Sequence, residues 1–379
     1  MKALTITPKT RTVAVQDVPK PDPKPLEILI KVHAVALNHV DALYTKKPIA
    51  SQDYRVVGSD FAGEVVAVGA DLVGVDDQRT EVGARVAGFV QGACSVNERP
   101  GAFAEYVAVE YDLTWAIPTT VTYEAAATIS LCGLTAAQGV FARLQLPCPF
   151  SSTKGFDPSQ AADNNKPIHV LVYGATSSLG LYAAQLIRLA ERTSGKKIKL
   201  IGTASASKHA VLKEKPYEYD ELVDYHDPEW PEKVRGISDG GVQFAVDAVS
   251  QSPSVELVEQ TLAEDGKFAV FRSPAIGGFD LNKLKNKPVI GAVWEGLGAE
   301  IQYQGATIPA NPVARKFTTE FYSFLGSEAS LGNVKLQPNP VRLIRGGLEE
   351  IPSDGFVLLD PRGSGGQRPL STEKAVFTI

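Results

Sequence analysis

The sequence predicts an α/β protein in two parts: a small antiparallel β barrel or sandwich, and a parallel sheet with crossover helices. Three observations predict it. The first ~100 residues hold short apolar runs cut by Gly, Asp and Pro, the spacing of antiparallel strands and turns. Further on, apolar runs alternate with helical stretches, the pattern of β–α units. A length of 379 residues suits two domains at roughly 150 residues each.

In chain order, Met1–Pro19 alternates polar and apolar and does not read as a signal peptide. Ile28–Val35, Phe61–Val68 and Arg85–Phe89 are the expected strands, with Gly58, Gly63, Gly69, Gly83 and Gly88 at turns or bulges. From Thr122 good helix formers take over, in Tyr123–Ile129 and Leu131–Leu144. Pro147–Pro167 is polar and Pro-rich, an expected surface loop. His169–Tyr173 is continuously apolar apart from its first residue, as a strand buried on both faces requires. Leu179–Ala190 is an expected helix. Strands are expected at Ile198–Gly202, Leu222–Tyr225, Gln243–Val249 and Lys267–Phe271. Arg315–Leu325 has the spacing of an amphipathic helix. The tail from Leu336 carries two apolar runs and a Gly-rich turn, Gly363–Gly366.

Composition narrows the function. Apolar residues make up 44% and charged residues 21%, which suits ordered globular cores. The net charge is −5, and no basic stretch supplies the surface a nucleic-acid binder needs. Cys94, Cys132 and Cys148 are too scattered for a disulfide framework or a thiolate zinc site, so a reducing, cytoplasmic setting is expected. No run of about 18 apolar residues occurs, so no membrane span is expected. His33, His39, His169, His209 and His226 share no ligand spacing, and no bound metal is expected.

The informative segment is Tyr173–Gly180, between an apolar strand and a helix. A dinucleotide pyrophosphate needs small residues there: the turn is tight, the backbone approaches the phosphate, and the helix packs close to its strand. On the three-glycine fingerprint the positions are Ala175, Ser177 and Gly180. Two of them are not glycine, but Gly174, Ala175, Thr176, Ser177 and Ser178 are all small, and Leu179 follows. The helix N-terminus adds N–H groups and a favourable dipole. A strand-to-helix turn of some other α/β fold is the alternative. The next expected strand ends without the Asp or Glu that holds a ribose 2′-hydroxyl; the first acid is Glu214. Ser205, Ser207 and Lys208 suit a 2′-phosphate instead, which points to NADPH.

Ala36–Asp41, Val57–Val66, Gly83–Val86, Gly101–Val107 and Gly133–Ala137, taken with that turn, resemble landmarks of the medium-chain dehydrogenase/reductase superfamily. Zinc-dependent members carry a Gly-His-Glu ligand pair where this chain has Gly58-Ser59-Asp60, so the resemblance is to the zinc-free branch. Within it the chain is most similar to fungal trans-acting enoyl reductases of polyketide biosynthesis, the lovastatin-pathway type. The features shared with that subgroup are the polar insert, Val223–Pro228, and Gln337–Leu343 with Gly346–Leu348.

The resemblance implies a GroES-like catalytic domain and a doubly wound Rossmann cofactor domain with a cleft between them. Residues 1–126 would form the first part of the GroES-like domain, 127–299 the NADP-binding domain, and 300–379 the return to the catalytic domain. Ser205, Ser207, Lys208 and Tyr225 would hold the 2′-phosphate end of NADPH. Thr135 would lie by the nicotinamide or the substrate carbonyl. Asn38, Asp41 and Leu43 would line the cleft. Leu43 stands where the subgroup often has a lysine, a candidate proton donor, and His39 where it usually has proline. The expected acid is therefore Tyr44, a nearby lysine such as Lys46 or Lys47, or water. The implied reaction is NADPH-dependent reduction of an enoyl thioester carried by an acyl-carrier domain of a polyketide synthase. A stand-alone NADPH quinone or enone reductase and a non-reducing accessory member of the fold are the alternatives. Monomer and homodimer both stay open.

Overall fold

The computed structural model describes residues 1–48, 53–94, 100–151, 166–303, 306–359, 368 and 370–379. They form two compact units: Met1–Leu131 with Trp294–Ile379, and Cys132–Val293. Most of the expected insert and the whole Gly363–Gly366 turn lie outside the described residues.

The first unit opens with β1 (Lys2–Thr7), β2 (Thr12–Asp17) and β3 (Glu27–Ala36), then α1 (His39–Lys46). There follow β4 (Arg55–Val56), β5 (Asp60–Val68), β6 (Arg85–Phe89), β7 (Tyr106–Glu110) and β8 (Thr114–Ala116). Next come α2 (Tyr123–Ala126) and α3 (Ser130–Ala137), which runs on as a π-helical segment, Gln138–Arg143. Three of the expected strands form where β-branched and aromatic residues cluster, because such side chains pack well on a pleated surface. Gly63 and Gly88 lie inside β5 and β6 and not at turns. At Gly63 a Cβ would stand 2.1 Å from the Lys31 carbonyl oxygen, so the residue serves close strand approach beside a register shift in β3.

Among the described residues one helical stretch, Tyr123–Arg143, is long and apolar enough to cross a membrane by length and composition alone. No uninterrupted apolar run marks it in the sequence, because Thr, Ser and Gly break the run without making the helix polar. Most of the stretch is buried within the protein, as a helix apolar on all sides must be.

The second unit alternates strand and helix: β9 (Ile168–Tyr173), α4 (Ser178–Ser194), β10 (Ile198–Thr203), α5 (His209–Lys213), β11 (Glu221–Val223), α6 (Trp230–Ile237) and β12 (Val242–Asp247). It continues through α7 (Ser254–Gln260), β13 (Leu262–Val270), α8 (Pro274–Gly277) and β14 (Val289–Ile290). The six strands pair in parallel in the order β11-β10-β9-β12-β13-β14. This is a doubly wound Rossmann sheet whose order reverses between β9 and β12, the place where such sheets bind ligands. Leu171, Ile201, Ala245, Phe268, Trp230 and Val258 build a core of buried side chains on it. The strand expected at Leu222–Tyr225 stops at Val223, because Asp224 turns the chain with its own hydrogen bonds.

The chain returns to the first unit through β15 (Ile301–Tyr303), β16 (Ala306–Ile308), α9 (Pro312–Gly326), β17 (Val341–Leu343) and β18 (Lys374–Thr378). Asn311 caps α9 by accepting the Ala314 N–H at 3.0 Å, with Pro312 in the first turn. A seven-stranded sheet runs β17-β18-β3-β5-β6-β8, with β7 also on β3, and a second sheet runs β2-β1-β4. The pairing of β18 with β3, Val376 opposite Ala36, brings the C-terminal strand to the landmark residues of the N-terminal half.

Candidate active site

In the second unit, β9 ends at Tyr173 and the chain turns through Gly174 at φ +75°, where only glycine is unstrained. The Gly174 N–H donates to Thr203 Oγ1 and the Ala175 N–H to the Thr203 carbonyl, both at 3.0 Å. These bonds tie the turn to the end of β10. Ser177 caps α4, its hydroxyl accepting the Gly180 N–H at 3.0 Å. A Cβ on Gly180 would stand 2.4 Å from the Gly174 oxygen and 3.0 Å from Ala175 Cα, so helix and turn touch with no room for a side chain. Thr176, Ser178 and Leu179 are half-buried on this turn. The arrangement fits a dinucleotide pyrophosphate: a small-residue cradle at the N-terminus of a 17-residue helix.

Gly180→Ala should push the turn off the helix and weaken dinucleotide binding by about tenfold or more, roughly 1.4 kcal/mol. A fluorescence titration with NADPH checks it. Unchanged affinity would remove the turn from the cofactor site.

Just beyond the same end of β10, Ser205 is half-buried, Ser207 exposed and Lys208 half-buried in a 3₁₀ turn, Ala206–Lys208. The Ser205 and Tyr225 hydroxyls stand 3.5 Å apart. The Tyr225 ring is exposed and stacks on His226 at 4.2 Å. Sequence reasoning found no carboxylate here, yet the structure supplies one. Asp224 accepts the His226 N–H at 2.9 Å and the Ala206 N–H at 3.0 Å, and stands 2.7 Å from His226 Nδ1. Those bonds, the backbone ones first, hold its carboxyl down at about 2. The register of β11 on β10, Thr203 opposite Val223, delivers Asp224 to Ser205–Ala206. A search along the sequence from the Gly174–Gly180 turn does not see a neighbouring strand's end. Both Asp224 oxygens are engaged by its own turn and by Ala206.

In the first unit, Asn38 starts α1 and its N–H donates to Asp41 Oδ2 at 2.8 Å. The Ser59 hydroxyl donates to Asp41 Oδ1 at 2.8 Å. Burial pushes the Asp41 carboxyl up to about 7 against the pull of these two bonds. Asp60 next door is fully buried. Its Oδ2 accepts from Lys374 Nζ at 2.6 Å and from Asn38 Nδ2 at 2.9 Å, and its Oδ1 accepts the Leu131 N–H at 2.8 Å. Lys374 Nζ also reaches the Thr128 carbonyl at 3.3 Å. An ammonium thus neutralises the carboxylate at the second landmark. Among the described residues no three His, Cys, Asp or Glu side chains gather as metal ligands would.

Sequence reasoning named Asn38 and Asp41 but missed Ser59, Asp60 and Lys374 as their partners. The available signal was a lone lysine opening the apolar run Ala375–Phe377. Leu43 is half-buried, Tyr44 is buried at 3% exposure, and Lys46 is exposed. Tyr44 and Lys46 stand two positions apart on α1, so they point to different sides of the helix and cannot serve one atom in turn. Thr135 is buried at 8% exposure on α3. Asn38, Asp41, Leu43, Tyr44 and Lys46 belong to the first unit; Thr135 and the candidate cofactor residues belong to the second.

Residues 24–119 match the alcohol dehydrogenase GroES-like domain. The chain is similar to enoyl reductase cheB of Chaetomium globosum, with 29% identity over 97% of this chain and 91% of that protein. It is also similar to trans-enoyl reductase ccsC of Aspergillus clavatus, with 30% identity over 92% of this chain and 90% of that one. Among solved structures it resembles a mycobacterial protein complexed with NADPH, at a TM-score of 0.66 and 21% identity over the whole of both chains. Fold and site together define an oxidoreductase of the medium-chain dehydrogenase/reductase superfamily. Within it, the chain belongs to the trans-enoyl reductase family.

Proposed function

We propose that the protein is an NADPH-dependent trans-acting enoyl reductase, reducing the α,β-double bond of an enoyl thioester carried by a polyketide synthase in the cytoplasm. The observation that carries this reading is the 30% identity to a trans-enoyl reductase over 92% of the chain. The crowded Gly174–Gly180 turn supports the cofactor, and the NADPH in a structural neighbour agrees with it.

Gly174, Ala175, Thr176, Ser177, Ser178, Leu179 and Gly180 would cradle the pyrophosphate, and Ser205, Ser207, Lys208 and Tyr225 the 2′-phosphate. Held there, NADPH would supply the hydride for the β-carbon. The Thr135 hydroxyl donates a hydrogen bond to the thioester carbonyl oxygen as negative charge builds there. Tyr44, a lysine at 46 or 47, or water delivers the proton to the α-carbon. Asn38 and Asp41, held by Ser59, Asp60 and Lys374, fix the wall on the substrate side.

The test is NADPH oxidation with enoyl thioesters of graded chain length, each free and loaded on an acyl-carrier domain. The expected result is turnover that rises on the carrier and falls at least about tenfold with NADH, which has no 2′-phosphate to accept a charged hydrogen bond. Turnover of simple quinones with none of enoyl thioesters would replace this reading with a quinone reductase.

A further inference from the structure

Asp224 sits beside the residues proposed for the 2′-phosphate, and its charge works against such a group. Its carboxyl is held down at about 2, first of all by the His226 and Ala206 N–H groups, so it is an anion at any working pH. One oxygen accepts the Ala206 N–H at 3.0 Å, which ties it to the turn holding Ser207 and Lys208. A phosphate dianion seated there meets a repulsive neighbour unless a positive charge stands with the carboxylate.

His226 is placed to supply that charge. Its Nδ1 stands 2.7 Å from Asp224 Oδ1. An ionised carboxylate only accepts, so Nδ1 carries the proton and Nε2 is the ring's other edge. The side chain is 63% exposed, and Nε2 has no hydrogen-bond partner among the described residues. Two links hold the imidazole beside the Ser205 turn. Asp224 bridges it to Ala206. Tyr225 bridges it by a second route: its ring stacks on His226 at 4.2 Å, and its hydroxyl stands 3.5 Å from the Ser205 hydroxyl. The Tyr225 ring also meets Tyr173 edge-on at 6.5 Å, where β9 enters the Gly174–Gly180 turn.

We propose that His226 is a cofactor-selecting residue, whose Nε2 donates to the 2′-phosphate of NADPH while its positive charge offsets Asp224. This inference rests on the NADPH reading above. Binding takes up one proton: the neutral ring, protonated at Nδ1, gains a second proton at Nε2 from solvent and presents it to a phosphate oxygen. An imidazolium between a carboxylate and a phosphate is the favoured form. The ribose 2′-hydroxyl of NADH is uncharged and calls for no such proton. The titratable and charged groups around the ring are Asp224, Tyr225 and Asp227 on its own turn, Tyr173 on β9, Lys208 beyond β10, and Glu229 and Lys233 at the start of α6. Lys233 pairs with Asp227, and Asp224 and Tyr225 contact the ring.

The experiment is calorimetric titration of the wild type and His226→Phe, with His226→Leu should the phenylalanine variant fold poorly. Phenylalanine keeps an aromatic ring to stack on Tyr225 and removes both nitrogens. NADPH and NADH are each titrated at about pH 6 and about pH 8, on either side of the usual histidine range. The expected result at about pH 6 is a fall in NADPH affinity of about tenfold or more, with NADH affinity held within about twofold. The wild type should also lose more NADPH affinity than the variant between the two pH values. The phosphate's own titration is common to both proteins, so the difference between them isolates the ring.

Unchanged NADPH affinity in the variant overturns the proposal. So does an equal loss on both cofactors, the mark of a ring that only shapes the turn, and so do parallel pH profiles. If the wild type binds NADH as tightly as NADPH, the NADPH reading fails on its own. Adenosine 2′,5′-bisphosphate, titrated against adenosine 5′-monophosphate, then decides His226. A loss confined to the bisphosphate in the variant upholds the proposal, and equal or absent binding overturns it.

Discussion

Lys374→Met is expected to lower the unfolding free energy by about 3–5 kcal/mol, the usual loss when one member of a buried ion pair is removed. The Lys374 and Asp60 side chains are 2% and 0% exposed, with Nζ 2.6 Å from Oδ2. Methionine fills the space of the lysine stem but leaves the Asp60 carboxylate buried, with Asn38 Nδ2 and the Leu131 N–H as its remaining donors among the described residues. The double variant Lys374→Met with Asp60→Asn removes that charge and should recover most of the loss, with the Asn38 amide turned so that its oxygen accepts. Urea unfolding of the two single variants and the double one measures the effect. A loss under about 1 kcal/mol for Lys374→Met, the range of an exposed pair, would show that the pair is not buried in solution. The same pair ties β18 to Asn38 and to the first turn of α3, so the single variant should lose activity along with stability.

The second large effect is a pH dependence of stability set by Asp41. Its carboxyl, 3.8 in the ordinary state, is pushed by burial up to about 7 in the fold. The folded protein therefore binds a proton that the unfolded chain has released. The sign follows from linkage: this contribution is full below about pH 4 and is lost as pH rises to about 7. A shift of that size corresponds to about 4 kcal/mol. Asp60 raises the proton affinity further and Lys374 opposes it. Asp41→Asn fixes the neutral form, its oxygen accepting the Asn38 N–H and its amide donating to Ser59 Oγ. The variant should match the wild type in acid and exceed it by about 4 kcal/mol above about pH 7. Asp247, which burial pushes up to about 6, adds a slope of the same sign to both proteins, so the difference between them isolates Asp41. Parallel stability curves would contradict the buried, proton-binding Asp41.

Much of the fold was legible because local chemistry dictated it. Arg85–Phe89 forms a strand at the expected bounds, and Ile28–Val35 and Phe61–Val68 do so with one residue added at one or both ends. The tight turn between β9 and α4 was legible because a parallel strand buried on both faces reads as a continuous apolar run and small residues follow it, ending in Gly180, where the fold leaves no room for a Cβ. The partners of the site residues were not legible. Asp60 meets Lys374 across 314 positions of sequence, through a β18–β3 pairing that no local pattern announces. Asp224 reaches Ala206 only because β11 lies beside β10.

The central claim, NADPH-dependent reduction of an enoyl thioester, is tested most directly by following the hydride. NADPH deuterated at the transferable position is mixed with the protein and an enoyl thioester on an acyl-carrier domain, and the product is read by mass spectrometry and NMR. The account predicts a saturated acyl chain with deuterium at the β-carbon and a hydrogen of solvent origin at the α-carbon. Recovery of the unsaturated thioester without deuterium, under conditions where the protein binds NADPH, would contradict it.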